Sequence, residues 1–199
     1  MIVRYKNKKQ HRLKEYDYSN SGYYYVTICT KNKNNYFGEV VDGKMKLAGI
    51  GNIAENFWLK IPDTYNNVIL DEWIIMPNHI HGIIVIQNIM NNRGDSNCKD
   101  RNAPRHVPTG LQPLCKNSLS SIINHYKGNV KRWCNKNGYE NFSWQSRIFD
   151  HIIRNEKSLF NIRKYIINNP INWDIDNEND SVQSVETRRG AFPPFPQDL

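Results

Sequence analysis

The order of segments in this 199-residue chain predicts an α+β sandwich, an antiparallel sheet covered by helices. Three observations carry that expectation. Apolar and β-branched runs of strand length alternate with longer stretches of helical periodicity, in the order β, hairpin, α, β, β, α, α. Two runs, Asn67 to Met76 and His79 to Gln87, are almost continuously apolar, as central strands covered on both faces are. Two later stretches repeat their apolar residues at helical spacing and so each present one face to a core.

Residues 1–20 are a basic, turn-rich lead-in, with Arg4, Lys6, Lys8, Lys9, Arg12 and Lys14 before the first acid, Glu15. Tyr23 to Thr30 (YYYVTICT) is rich in aromatic and β-branched residues and predicts a strand. Within Phe37 to Leu47, the pair Asp42-Gly43 between two short apolar runs predicts a hairpin. A helix is expected from Gly51 to Ile61, with Ile53, Phe57 and Ile61 on one face and Pro62 ending it. The two apolar strands follow. Residues 88–114 carry Asn, Arg, Gly, Asp and Pro without periodicity and predict a flexible insertion. A helix is then expected from Ser118 to Lys136, with Leu119, Ile122, Ile123, Tyr126, Val130, Trp133 and Cys134 as its stripe and Gly138 as its stop. Another covers Glu156 to Asn168, ahead of Pro170. The stretch 174–199 opens with five acids and no base up to Glu186 and ends Pro-rich; it predicts a disordered tail. One domain, 21–173, is therefore expected.

Composition narrows the function. The hydrophobic fraction of 39% with 12% aromatics is that of a folded chain. A formal charge of +8 favours a polyanionic partner. No apolar run approaches the roughly 20 residues that a bilayer span needs, so no membrane partner is expected. Cys29, Cys98, Cys115 and Cys134 are scattered without a CxxC pair. That pattern excludes a cysteine zinc site and a disulfide framework, and it suits a cytoplasmic location.

Chemistry concentrates at Met76-Pro77-Asn78-His79-Ile80-His81-Gly82. Residues i and i+2 of a strand share a face, so His79 and His81 project together while Ile80 faces the other layer. Two converging imidazoles make two ligands of a divalent-metal site. The competing reading is a buried pair satisfied by polar neighbours such as Asn78 and Asp71. Basic and aromatic residues interleave downstream: nine Lys or Arg against three acids lie between His125 and Lys164. Lys127, Lys131, Arg132, Arg147 and Arg154 are candidate phosphate contacts, and Trp144 with Gln145 a candidate base-contacting pair. His151, between Arg147 and Arg154, is a candidate proton-transfer group or a core residue bonded to Asp150.

Several stretches, in order, carry a resemblance: YYVTICT (24–30), YFGE (36–39), WIIMPNHIHG (73–82), LSSIINHYKGNVKRW (119–133), Trp144-Gln145, DHIIRN (150–155) and YIINNP (165–170). Together they resemble the HUH (His-hydrophobic-His) single-tyrosine transposases, specifically the REP-associated tyrosine transposases. The resemblance implies a ferredoxin-like sandwich with the HUH strand at the centre of its sheet. It implies metal-dependent cleavage and rejoining of single-stranded, hairpin-forming DNA through a tyrosine–DNA intermediate, by a monomer or a homodimer. The metal would be Mg²⁺ or Mn²⁺, held by His79, His81 and a Gln or Asn one turn beyond the tyrosine. The family's nucleophile lies on the helix after the HUH strand, where the only tyrosine here is Tyr126; the resemblance thus implies Tyr126 as nucleophile, in preference to Tyr165, and Asn129 as third ligand. The family's usual tyrosine position aligns nearer Val130. Two other classes therefore stand beside this one: a catalytically silent DNA-binding protein of the same fold, and an unrelated metal-dependent hydrolase using His79, His81 and an acid such as Asp71.

Overall fold

The computed structural model describes residues 16–88 and 117–175. The lead-in before Tyr16, the insertion after Asn88 and the tail after Ile175 lie outside the described residues. Strand β1 (Gly22–Cys29) opens the fold, and the hairpin β2 (Gly38–Val41) and β3 (Lys44–Leu47) follows. Its turn places Asp42 and Gly43 at φ 52° and 68°. Two successive left-handed residues are what a two-residue hairpin of the right twist demands. Helix α1 (Gly49–Leu59) comes next, then the single turn α2 (Ile61–Thr64), which starts afresh because Pro62 fits only at a helix's first positions. Strands β4 (Val68–Ile75) and β5 (His79–Ile86) form a hairpin. Helix α3 (Leu119–Lys136), strand β6 (Phe149–Ile153) and helix α4 (Glu156–Asn168) complete the domain, followed by a short 3-10 turn at Trp173–Ile175. Ser118 and Asn155 cap α3 and α4 by accepting from the backbone N–H groups of Ser121 and Ser158.

The main sheet has the order β4-β5-β1-β6 and is antiparallel throughout. With the strands taken in chain order this is the ferredoxin-like arrangement, and β5 lies at its interior as expected. Helices α1 and α3 cover one face, where Tyr24, Val26, Ile28, Ile80 and Ile84 meet Ala54, Trp58, Ile122, Tyr126 and Val130 in the larger core. Helix α4 covers the other face, where Tyr25, Ile83 and Ile153 meet Leu159, Ile162 and Ile166.

Three expectations need correction. The first helix begins at Gly49 rather than Gly51 and ends before Pro62. Strand β4 is an edge strand, not a central one; Ile69 is 47% exposed there, because α4 covers only part of it. Strand β6 went unanticipated, since five residues flanked by polar ones carry too short a pattern to stand out. Among the described residues, no helix is long and apolar enough to cross a membrane.

Candidate active site

The α4-covered face of the sheet holds the histidine pair. In the β1–β5 ladder His81 sits opposite Thr27 and His79 opposite Cys29, so all four project towards α4. The two imidazoles lie 4.3 Å apart between centroids and are almost fully buried, His79 at 0% and His81 at 3% exposure.

Each ring is held by defined neighbours. The Asn78 amide donates through Nδ2 to the Lys33 carbonyl at 3.0 Å, which turns its Oδ1 towards His79. His79 Nδ1–H donates to that Oδ1 at 2.8 Å, leaving the lone pair on Nε2. Among the described residues Nε2 has no hydrogen-bond partner. Burial, assisted by the positive charge of Lys33, holds the His79 pKa down to about 3, so the ring is neutral at any working pH. His81 has Nδ1 within 2.7 Å of the Tyr25 hydroxyl and 2.9 Å of Thr27 Oγ1. Its Nε2 faces the Tyr165 hydroxyl at 3.4 Å.

Tyr165 reaches that position because α4 packs its inner stripe across the sheet. Leu159, Ile162 and Ile166 anchor the helix. An ion pair ties the same helix to β4, with Arg163 Nε donating to Asp71 Oδ1 at 2.8 Å and Nη2 to Oδ2 at 2.5 Å. The Arg163 guanidinium holds the Asp71 carboxyl below the usual carboxylate range. One turn beyond Tyr165 is Asn169, 1% exposed, and one turn further Trp173 lies 5.9 Å from His79 between ring centroids. Asn169 is the C-cap of α4, and in sequence it stands between Tyr165, whose ring is beside His81, and Trp173, whose ring is beside His79.

Tyr126 and Asn129 do not join this group. Tyr126 is on α3, across the sheet from the histidines, buried at 2% exposure against Trp58. Its hydroxyl donates to the Ala54 carbonyl at 3.1 Å, and burial raises its pKa well above 10. Asn129, on the same helix, meets His125 and Arg132 at the surface. A hydroxyl buried on the wrong face cannot attack at His79 and His81, and an amide beside it cannot ligate there.

The remaining candidates divide. Lys127 Nζ donates to the Gln145 carbonyl and Lys131 Nζ to the Glu140 carbonyl, so both ammonium groups pin the segment after α3. Trp144 is a packing residue, its ring against Phe37, Tyr126 and Phe142 and its Nε1–H on the Lys127 carbonyl. Gln145 is exposed and bonds through its backbone N–H to Cys29, at the His79 end of the sheet. Arg132 donates to Asn129, while Arg147 and Arg154 are exposed on either side of β6. His151 is exposed opposite Tyr25 on the α4-covered face, and Asp150 points to the other face. Sequence reasoning passed over Asn169, Trp173, Lys33 and the Tyr25-Thr27 pair. The signal for the first lay in YIINNP, where Tyr165 and Asn169 stand four apart.

The donor set fits a divalent metal. A neutral imidazole with a buried, unpartnered Nε2 and a second imidazole beside it offer two nitrogen ligands. Among the described residues no group of three or more His, Cys, Asp or Glu forms, so a third ligand of those types is not to be had here.

Comparison with known proteins places these features in context. No protein-family model matches the chain. An uncharacterised protein of Haemophilus influenzae is 38% identical over 171 residues, spanning 85% of this chain and 92% of that protein. Among solved structures, a REP-associated tyrosine transposase bound to a REP hairpin superposes with a TM-score of 0.55 and 17% identity, covering 95% of this chain and 96% of that one. The chain thus belongs to one family with the Haemophilus influenzae protein, and its fold is that of the HUH tyrosine transposases.

Proposed function

We propose that this protein cleaves and rejoins single-stranded DNA through a covalent bond between Tyr165 and a 5′-phosphate, with Mg²⁺ or Mn²⁺ bound by His79, His81 and Asn169. The observation that carries the reading is the Tyr165 hydroxyl, 3.4 Å from His81 Nε2 on the α4-covered face. Tyr165 and not Tyr126 is then the nucleophile. Its oxygen attacks the phosphorus, the bond to the 3′-oxygen breaks, the phenolic proton leaves to solvent, and the departing strand ends as a 3′-hydroxyl. The phosphotyrosine ester retains the bond energy, so rejoining is the same exchange run backwards. The metal would polarise the phosphate oxygens and offset their growing charge. Asn78 fixes the His79 ring, Tyr25 and Thr27 fix His81, and α4 carries the nucleophile as a rigid stripe. All of these groups come from one chain, so the reading requires no second copy.

The DNA reading draws on the net charge of +8, on exposed Gln145 and Arg147 near the His79 end of the sheet, and on exposed Arg154 past the other end of β6. It is also supported by the fold shared with a transposase whose structure holds a REP hairpin. The silent alternative drew on the lack of a tyrosine at Val130; with Tyr165 over His81 that motive disappears. The hydrolase alternative named Asp71 as an example of its acid ligand, and Arg163 occupies both Asp71 oxygens.

The test is an adduct assay with a hairpin-forming oligonucleotide carrying a single-stranded flank, in Mn²⁺. A covalent protein–DNA species should form, vanish in Tyr165→Phe and persist in Tyr126→Phe. A phosphodeoxynucleotide mapped by mass spectrometry to another tyrosine would overturn the assignment. Binding without any adduct would favour the silent reading.

A further inference from the structure

We propose that Asp71 and Arg163 are positioning residues for the nucleophile, holding α4 at the rotation that brings the Tyr165 hydroxyl to His81; this rests on the function proposed above. Strand β4 is shaped to offer that carboxylate. Leu70 lies opposite Ile84 and Trp73 opposite Gly82, so two residues of β4, Asp71 and Glu72, stand against the single Ile83. That excess of one residue is a β-bulge, which bends a strand and re-aims its side chains. It lets Leu70 and Trp73 both pack on the larger core although they are three residues apart, and Asp71 projects towards α4. The Glu72 N–H donates to Asp71 Oδ1 at 2.7 Å and fixes the carboxylate on the bulge.

Arg163 meets this carboxylate as a fork. Nε donates to Oδ1 at 2.8 Å and Nη2 to Oδ2 at 2.5 Å. Two parallel bonds set an orientation as well as a distance. Arg163 stands two residues before Tyr165, and residues two apart on a helix point about 200° apart. Ile162 and Ile166, which pack on the sheet, fall between them. The guanidinium and the phenol therefore occupy opposite flanks of α4. One is bound to β4, and the other lies against His81, with ring centroids 5.2 Å apart.

This placement makes the pair a brake on rolling of the helix. Leu159, Ile162 and Ile166 hold α4 on the sheet, but apolar attraction has no preferred direction. A tyrosine hydroxyl lies roughly 9 Å from the axis of its helix, so a roll of about 10° carries it about 1.6 Å. Misplacement of a reacting atom by about 1 Å costs on the order of a hundredfold in rate. Folding is far less sensitive, because the Arg163 side chain is 40% exposed and solvent screens its charge. The pair thus adds little to stability and much to where the phenol sits.

The test compares Asp71→Asn, Arg163→Gln and Arg163→Lys with the wild type. Single-turnover adduct formation on the flanked hairpin should slow by about ten- to a hundredfold in each. Arg163→Lys keeps the charge but lacks the fork, so it should not restore the rate. Combining Asp71→Asn with Arg163→Gln should slow the reaction no further than either alone, as two halves of one contact do. In a Tyr165→Phe background, affinities for Mn²⁺ and for the hairpin should be unchanged by these substitutions. A further readout needs no turnover. In protein labelled with 3-fluorotyrosine, the ¹⁹F resonance lost in Tyr165→Phe should shift in Asp71→Asn, while the one lost in Tyr126→Phe stays in place.

A wild-type rate in Asp71→Asn, or a rate restored by Arg163→Lys, overturns the inference. So does a loss of hairpin affinity in Arg163→Gln that matches its loss of rate, which would make Arg163 a phosphate contact. Failure here is separable from failure of the proposed function. An adduct at Tyr165 that forms equally fast in every variant sinks the inference alone. If the wild type forms no adduct, the cleavage reading fails, and the ¹⁹F resonance of Tyr165 still decides: a shift in Asp71→Asn upholds the positioning role and a fixed one refutes it.

Discussion

Acidifying the metal-free protein from pH 7 to pH 5 should cost about 2 kcal/mol of stability through His79 alone. The ring is fully buried, its Nε2 meets no partner among the described residues, and its pKa is held down to about 3. In the unfolded chain a histidine titrates near 6.5. Below that value the unfolded state takes up a proton that the folded state refuses. The neutral ring's contribution is therefore intact above about pH 6.5 and is lost as pH falls towards 3, at up to ~1.4 kcal/mol per pH unit. From pH 7 to 5 the interval below 6.5 is about one and a half units, which gives the 2 kcal/mol. The assay is urea unfolding at both pH values with a chelator present, for the wild type and His79→Gln. The variant starts lower, because it loses packing, but it cannot take up that proton. Its stability should change with pH by about 2 kcal/mol less than the wild type's. Equal changes in the two proteins would mean that His79 is protonated or hydrated in the fold, and the argument for a preformed ligand would go with it.

Other consequences follow from named contacts. Asn78→Ala should lower Mn²⁺ affinity by about ten- to a hundredfold in titration calorimetry, as loss of a ligand's orienting partner does, with the fold retained by circular dichroism. Gly82→Ala should destabilise by about 1–3 kcal/mol in urea, because a Cβ there would lie 2.4 Å from Trp58 Cζ2 in the larger core. Asp71→Asn should cost no more than about 1 kcal/mol, since the Arg163 side chain is 40% exposed and solvent screens the pair. The contribution of Asp71 is present above the unfolded carboxyl value near 3.9 and is lost as pH falls through the lower folded one, so the variant should lack that acid-side loss. Tyr126→Phe should cost about 1 kcal/mol for its bond to Ala54 and leave the adduct untouched.

Much of the architecture was legible because it rests on local patterns. Periodicity located α3 and α4, the Asp42-Gly43 pair located the hairpin, and strand alternation put His79 and His81 on one face. What escaped was whatever depends on the order of strands in the sheet. The apolar run of β4 reads like that of β5, yet one is an edge and the other is interior. Trp144 reads as a base-stacking residue beside lysines, yet its ring joins the packing of Phe37 and Phe142. The pairing of Lys33 with Asn78 spans 45 residues and leaves no trace in spacing.

The separation of Tyr126 from the histidines has the same origin, and the topology explains it. Strands β1 and β4 run the same way, as do β5 and β6, and each pair is joined by a crossover that carries a helix. Right-handed crossovers put both helices, α1 and α3, on one face of the sheet. That face forms the larger core, and along β5 it takes Ile80 and Ile84. Alternation then sends His79 and His81 to the other face, away from every residue of α3. Proximity in sequence to the histidine strand thus counts against Tyr126. Among the described elements α4, which follows β6, covers the histidines, anchored by Leu159, Ile162, Ile166 and the Arg163–Asp71 pair. In a sheet of this order, a His-x-His whose middle residue enters the crossover core turns both of its imidazoles away from the crossover helices.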